Sequence, residues 1–262
     1  MTHLLRVAWT FLKIGLLGEF AYRANLYLQL LQSGVAVAGA VGGLLVVFSH
    51  TDTLGGWSPD EVLAVLAVYL LVGAAMGGVI EPSMQKLMED VRQGTLDYTL
   101  TKPEDAQFLI SVSEIRVWKL VDVVLGLAVL GVALVRRSGA IGPADGALFV
   151  LMLLAGGAIV YSFFLVLATV SFWFLRIENI LVIFGDVYQT ARWPIGIYPQ
   201  WLRFILTFVV PVAIAVTVPA EAVVGRLTGT RVLLALGVAA FALIASRLVW
   251  RRGLKRYSGA SA

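Results

Sequence analysis

Few side chains in this sequence could do chemistry, and their spacing argues against catalysis. Its 262 residues include no cysteine and two histidines, His3 and His50, so disulfides and thiolate metal sites are excluded. In the topology that the basic residues imply, the two histidines fall on opposite sides of a membrane, so no two-histidine metal site can form. No G-x-S-x-G nucleophile elbow occurs, which removes one hydrolase class. A P-loop requires Gly-Lys after a glycine-rich turn, and no Gly-Lys dipeptide is present. Glu61, Glu81, Asp122 and Glu178 fall near the ends of apolar runs, where a solvated carboxylate is the ordinary role. A proton- or ion-coupled relay would have only Asp122, Asp186 and Arg192 to work with, and no internal repeat of the kind such carriers commonly show is visible.

The elements that hold these residues are set by oil. Apolar residues make up 60% of the chain, charged residues 14%, and the mean hydropathy is +0.90, against about 45–50% and about 25% in soluble domains. The apolar residues come in blocks of about 20, the length that crosses a hydrocarbon core of about 30 Å. A β-barrel would instead need alternating segments of about 10 residues. The fold class is therefore an all-α polytopic membrane protein. Its net charge of +4 follows from topology and does not call for nucleic acid.

Residues 3–23 lack the cleavage site of a signal peptide. They set Arg6, Thr10 and Lys13 on one narrow stripe, with Leu5, Trp9, Leu12 and Leu16 opposite, the pattern of a helix lying along a membrane surface. Spans are expected at 26–48, 61–80, about 120–135, about 146–174 and about 232–249, with Ser58 or Asp60 starting the second. The stretch 177–220 reads two ways. Basic residues cluster before the first span, in the 81–119 segment and at the C-terminus, while 49–60 holds no Lys or Arg. By the positive-inside rule both termini and the 81–119 segment are cytoplasmic; Arg136 and Arg137 are the exceptions.

That polar segment is the most informative part of the chain. Pro82 suits the first turn of a helix and Gly94 the residue past its end. Between them Met84, Leu87, Met88 and Val91 recur at helical spacing, with Lys86, Glu89, Asp90 and Arg92 on the other side. This predicts a short amphipathic helix on the cytoplasmic face. A helix of about three turns is marginal alone, so it packs on its own spans, on a partner, or on both.

"RQGTLDYTLTKP", residues 92–103, resembles the R-x-G-x-L-D-x-x-L-x-[KR]-P element of an ABC type 2 exporter permease family. "EFAYRAN" at 19–25 and the aromatic, proline-rich stretch 193–225 are similar to further parts of that family, in the same order. The resemblance implies a single transmembrane permease domain over 1–262, with six transmembrane helices, an N-terminal interfacial helix and a cytoplasmic coupling helix within 81–103. It also implies a fifth span over about 178–197 and re-entrant outer-face helices over 199–222, before the last span. Pro211 and Pro219 favour this over one straight span at 203–220. The coupling helix of such permeases seats in a groove of an ATPase. On that basis Met84, Leu87, Met88, Val91, Arg92, Gly94, Leu96 and Asp97 are the expected ATPase contacts, with Gly94 setting the turn and Asp97 capping the short segment after it.

The fifth span would carry Asp186 and Gln189 on one face and Arg192 a turn further on. Charged groups in a span usually face a pathway or a partner, so these three are candidates for the translocation path. The resemblance further implies two copies of a separate ABC ATPase subunit carrying ATP and magnesium, and no cofactor in this chain. A second permease, identical or homologous, would complete the transporter in the bacterial cytoplasmic membrane. Gly34, Ala38 and Gly42 in the first span, and Gly73 and Gly77 in the second, form small-residue faces suited to helix association, within the chain or between chains. The apolar interior suggests a lipid-like or amphiphilic solute; a proton- or ion-coupled secondary carrier is the alternative.

Overall fold

The computed structural model describes residues 10, 13, 23–136, 142–174 and 180–257, and among these there is no strand. Of the interfacial helix expected over 3–23, only Thr10, Lys13 and Arg23 fall within the described residues. Helix α1, Arg23–Phe48, leads to a tight hairpin in which Leu54 and Trp57 exchange backbone hydrogen bonds of 2.9 and 3.1 Å. Gly55 and Gly56 take φ values of 59° and 83° there, the two positive angles that a type I′ turn requires. Helix α2, Pro59–Ala75, starts at Ser58 rather than Asp60. The Ser58 hydroxyl accepts from the Glu61 N–H, and the Ser58 N–H donates to the Glu61 carboxylate at 2.8 Å, a reciprocal capping box.

Helix α2 does not end where the apolar run ends. A π-helical turn, Met76–Ile80, joins it to α3, Glu81–Gln93, giving one helical run of 35 residues, about 52 Å long. The separate surface helix expected to begin near Pro82 is thus corrected to a continuation of the second span. Pro82 has no N–H for the Gly78 carbonyl; the Arg116 N–H donates to that oxygen at 2.7 Å. The chain returns through α4, Asp97–Leu100, then α5, Ala106–Ser111, and a 3₁₀ turn, Val117–Lys119. Helices α6, Leu120–Arg136, and α7, Pro143–Thr169, come next, the latter prolonged by a 3₁₀ turn to Phe172.

After α8, Ile180–Tyr188, comes a 3₁₀ turn, Gln189–Arg192. Its companions are α9, Gln200–Phe204, with a π turn to Val209, then α10, Val212–Val223, and α11, Gly229–Leu254. Among the described residues five helical runs are long and apolar enough to cross a bilayer: Tyr27–Phe48, Pro59–Gln93, Val117–Arg136, Pro143–Phe172 and Gly229–Leu254. The helical piece Ile180–Arg192 is about 20 Å long, short of a full crossing. It nevertheless climbs through the bundle. Tyr188 stacks on Tyr69 in the middle of α2 with ring centroids 4.9 Å apart, and Ile197 lies against Gly55 at the hairpin end. Extended backbone at Trp193 and a 3₁₀ turn, Ile195–Ile197, complete the climb.

The segments Gln200–Val209 and Val212–Val223 are bent by 94° at Pro211. Their junction sits beside Val160, Phe164 and Tyr188, whereas Arg203 bonds the Gly196 carbonyl and Val223 lies near Ser58 and Glu61. Arg203 and Val223, towards the outer ends of the pair, both lie on the hairpin side; the bend is that of a re-entrant pair or of a broken span, and no single straight helix covers 203–220. The bundle consists of α2 with α6 and α7 with α11, and α10 is wedged between α7 and α2. That wedge is tight. A Cβ on Gly156 would lie 2.4 Å from the Ala215 carbonyl oxygen, the carbonyl to which Pro219 offers no N–H.

Candidate functional site

The insert over 81–119 projects from the end of the bundle opposite the hairpin. Gly94, with φ 72°, closes α3, and the Asp90 carbonyl accepts from the N–H groups of Thr95 and Leu96. The reversal drives Leu96 into the core, where it is 0% exposed. Met84, Leu87, Met88 and Val91 are buried in the same cluster, packed with the bundle's own helices. These five are among the expected ATPase contacts; here their side chains are buried within the chain itself. Asp97 is the first residue of α4, with no side-chain cap at its start, so the expected capping role is corrected. The exposed side of the insert carries Lys86, Arg92, Tyr98, Leu100 and Lys102, with Tyr98 77% exposed; Gly94 and Asp97 are half-buried beside them.

Polar bonds strap the insert down. The Ser83 hydroxyl donates to the Glu114 carbonyl at 3.0 Å, and the Arg116 guanidinium donates to Gln85 at 3.1 Å. At the far edge Arg247 of α11 donates to both carboxylate oxygens of Asp105 and, at 2.7 Å, to Gln107 Oε1. Gln107 Nε2 in turn donates to the Tyr161 hydroxyl of α7 at 3.0 Å. The Arg247 guanidinium holds the Asp105 carboxyl below the usual carboxylate range. Sequence reasoning missed this clasp because its members lie 54 to 142 positions apart. The available signal was Arg247 itself, an arginine inside the last apolar run.

Asp186 and Gln189 are exposed and Arg192 is half-buried. Arg192 Nη2 donates to Gln189 Oε1 at 2.7 Å, so these two are brought together, with Asp186 a turn away. Asp186 and Gln189 face outward from the bundle, with Arg192 at their edge. Asp122, expected to be solvated, is buried and paired with Lys119 at 2.6 Å, a correction. Glu61 pairs with Arg226 at 2.8 Å, Glu221 with Arg231, so the hairpin end holds more arginines than Arg136 alone, each of these two neutralised by a carboxylate. Gly73 and Gly77 are filled from within by Tyr188 and Lys119, whereas Gly34 and Gly42 have nothing within 4 Å among the described residues. Among the described residues no group of three or more His, Asp or Glu could hold a metal ion.

A bundle of apolar helices whose long second helix runs on into a strapped polar insert, followed by a bent proline-broken pair, is the layout of a transporter's membrane subunit. The chain matches the family model described as ABC-2 family transporter protein over residues 35–261, and it belongs to that family. It is thus an integral membrane permease subunit of an ABC transporter, not its ATPase. No curated protein matches the chain.

Proposed function

We propose that the chain is the permease half of an exporter that moves a lipid-like or amphiphilic solute. ATP with magnesium is hydrolysed on two copies of a separate subunit, and a second permease, identical or homologous, completes the pathway. The insert and both chain ends face the cytoplasm, in keeping with the lysines and arginines gathered there. One observation carries the reading: the insert buries its whole apolar stripe yet projects Tyr98, Leu100 and Lys102 into open space. An aromatic residue rimmed by cations is a suitable anchor for a protein partner. Contact with the ATPase therefore falls on 98–102, with Arg92, Gly94 and Asp97 at its rim. Asp186, Gln189 and Arg192, polar and outward-facing at mid-bundle, are costly against lipid tails. A second permease or a watered path covers them.

The test is purification of the complex from membranes. An ATP-hydrolysing subunit should accompany the intact chain and be lost from Y98A/K102E, with the permease's melting temperature unchanged. Accumulation in proteoliposomes under a proton gradient alone, with no ATPase present, would falsify the exporter reading and favour a secondary carrier. Inverted vesicles settle direction: an exporter fills them when ATP is added outside.

A further inference from the structure

The insert belongs by sequence to α2 but by contact to α7 and α11. Arg247 grips Asp105 through both nitrogens of its guanidinium fork, a geometry that fixes orientation as well as distance. Close by, α11 meets α7 with no slack: a Cβ on Gly253 would lie 2.6 Å from the Phe172 ring and 2.7 Å from Thr169. About 24 Å away along α11, Arg231 bonds Glu221 of α10, a carboxylate that is itself buried. One helix therefore holds the insert at one end and the bent α9–α10 pair at the other.

We propose that α11 is the link that carries displacement of the insert to the bent pair, with Arg247 and Arg231 as its positioning residues. This rests on the permease reading above. A pull on residues 98–102 has two routes into the membrane. One runs along the backbone through the π turn at Met76–Ile80, a feature at which helices kink. The other passes through the Asp105–Arg247 fork into a helix packed without gaps on α7, and from there through Arg231 to Glu221. The second route ends on the outer-face element that must open for a solute to leave.

Because the chain has no cysteine, Phe208→Cys places a single spin label per chain at an exposed position of the bent pair. The label's mobility is read in the complex with its co-purified ATPase in lipid nanodiscs, before and after trapping with ATP and vanadate. The unaltered background should respond. R247Q and R231Q should still hydrolyse ATP while the label response falls about fivefold or more, the low end of coupling between distant sites. Exchanging the charges, D105R with R247D, should recover part of the response, and R247K, which keeps charge but loses the fork, should fall between. Melting temperature checks folding; should R247Q not fold, R247K carries the same test. A full label response in both R247Q and R231Q, or no recovery in the exchange, overturns the inference. If no ATP-hydrolysing subunit accompanies the unaltered chain, the permease–ATPase reading fails and takes this inference with it.

Discussion

Helix α1 and the Pro59–Gln93 run are both apolar enough to cross a bilayer, and both carry several glycines. Yet in an 18-residue apolar stretch of each, only 11% of the first is buried within the chain, against 67% of the second. Hydropathy states that a segment lives in oil; it does not state whether that oil is lipid or protein. The glycines tell the two apart. Gly73 receives the Tyr188 ring and Gly77 the Lys119 stem, while Gly34, Gly39, Gly42 and Gly43 meet nothing within 4 Å among the described residues. A helical glycine without a neighbour costs stability relative to alanine and returns no packing. On the proposed reading, α1 is a helix whose neighbour is another chain.

Filling glycines breaks or sharpens that contrast, and the largest effect belongs to neither helix. Gly156→Ala drives a methyl group into the backbone of α10, which cannot move like a side chain, and should cost about 3 kcal/mol or more, read as a collapse of the detergent melting temperature. Next comes Gly34→Leu with Gly42→Leu. If α1 meets a second permease, this pair should lose about 1–2 kcal/mol of association, visible as a shift to monomer by in-membrane crosslinking with the melting temperature unmoved; an unchanged dimer would end the idea. Gly73→Ala is smaller, about 1 kcal/mol of stability. Its methyl group would sit 3.3 Å from a Tyr188 ring pinned by stacking and by a 2.7 Å hydrogen bond to the Tyr69 carbonyl.

The smallest expected effect is that of pH on the clasp. Asp105 is held below its ordinary value by Arg247. A lowered folded-state value gives stability that is present above the unfolded value of about 3.9 and lost as pH falls through the folded one. Label response at position 208 should therefore be flat from about pH 8 to about pH 5. The pair is partly exposed, so its contribution to stability is under about 1 kcal/mol.

How much of the molecule was legible depends on what each signal reports. Blocks of apolar residues located the long spans, but the second helix runs on to Gln93, well past the end of its apolar block; of the two starts considered for α2, Ser58 is the one used. Gly94 marked the end of α3 because only a residue tolerant of φ 72° fits there. The stripe Met84, Leu87, Met88 and Val91 correctly declared a buried face, but amphipathicity never names what buries it; here it is the bundle itself. The climb from Ile180 to Ile197 was hard to read because 3₁₀ turns and Pro194 erase the 3.6-residue period. The clasp was hard to read for a different reason: Arg247 stands out inside the last apolar run, but nothing in the sequence pairs it with Asp105 of the insert, and only the packing of α11 on α7 brings them together.

The π turn at Met76–Ile80 has a rotational consequence. It holds one residue more than an α-helical turn, and each residue advances a helix by about 100°. Closing that turn into regular α-helix with all its residues kept would leave α2 untouched but swing everything beyond it by about that angle. Val91 would then take the bearing of exposed Arg92 and Lys86 that of buried Leu87, and the edge bearing Asp105 would turn away from Arg247. The bearing of the entire protrusion is set by one surplus amino acid about 20 positions upstream of its tip.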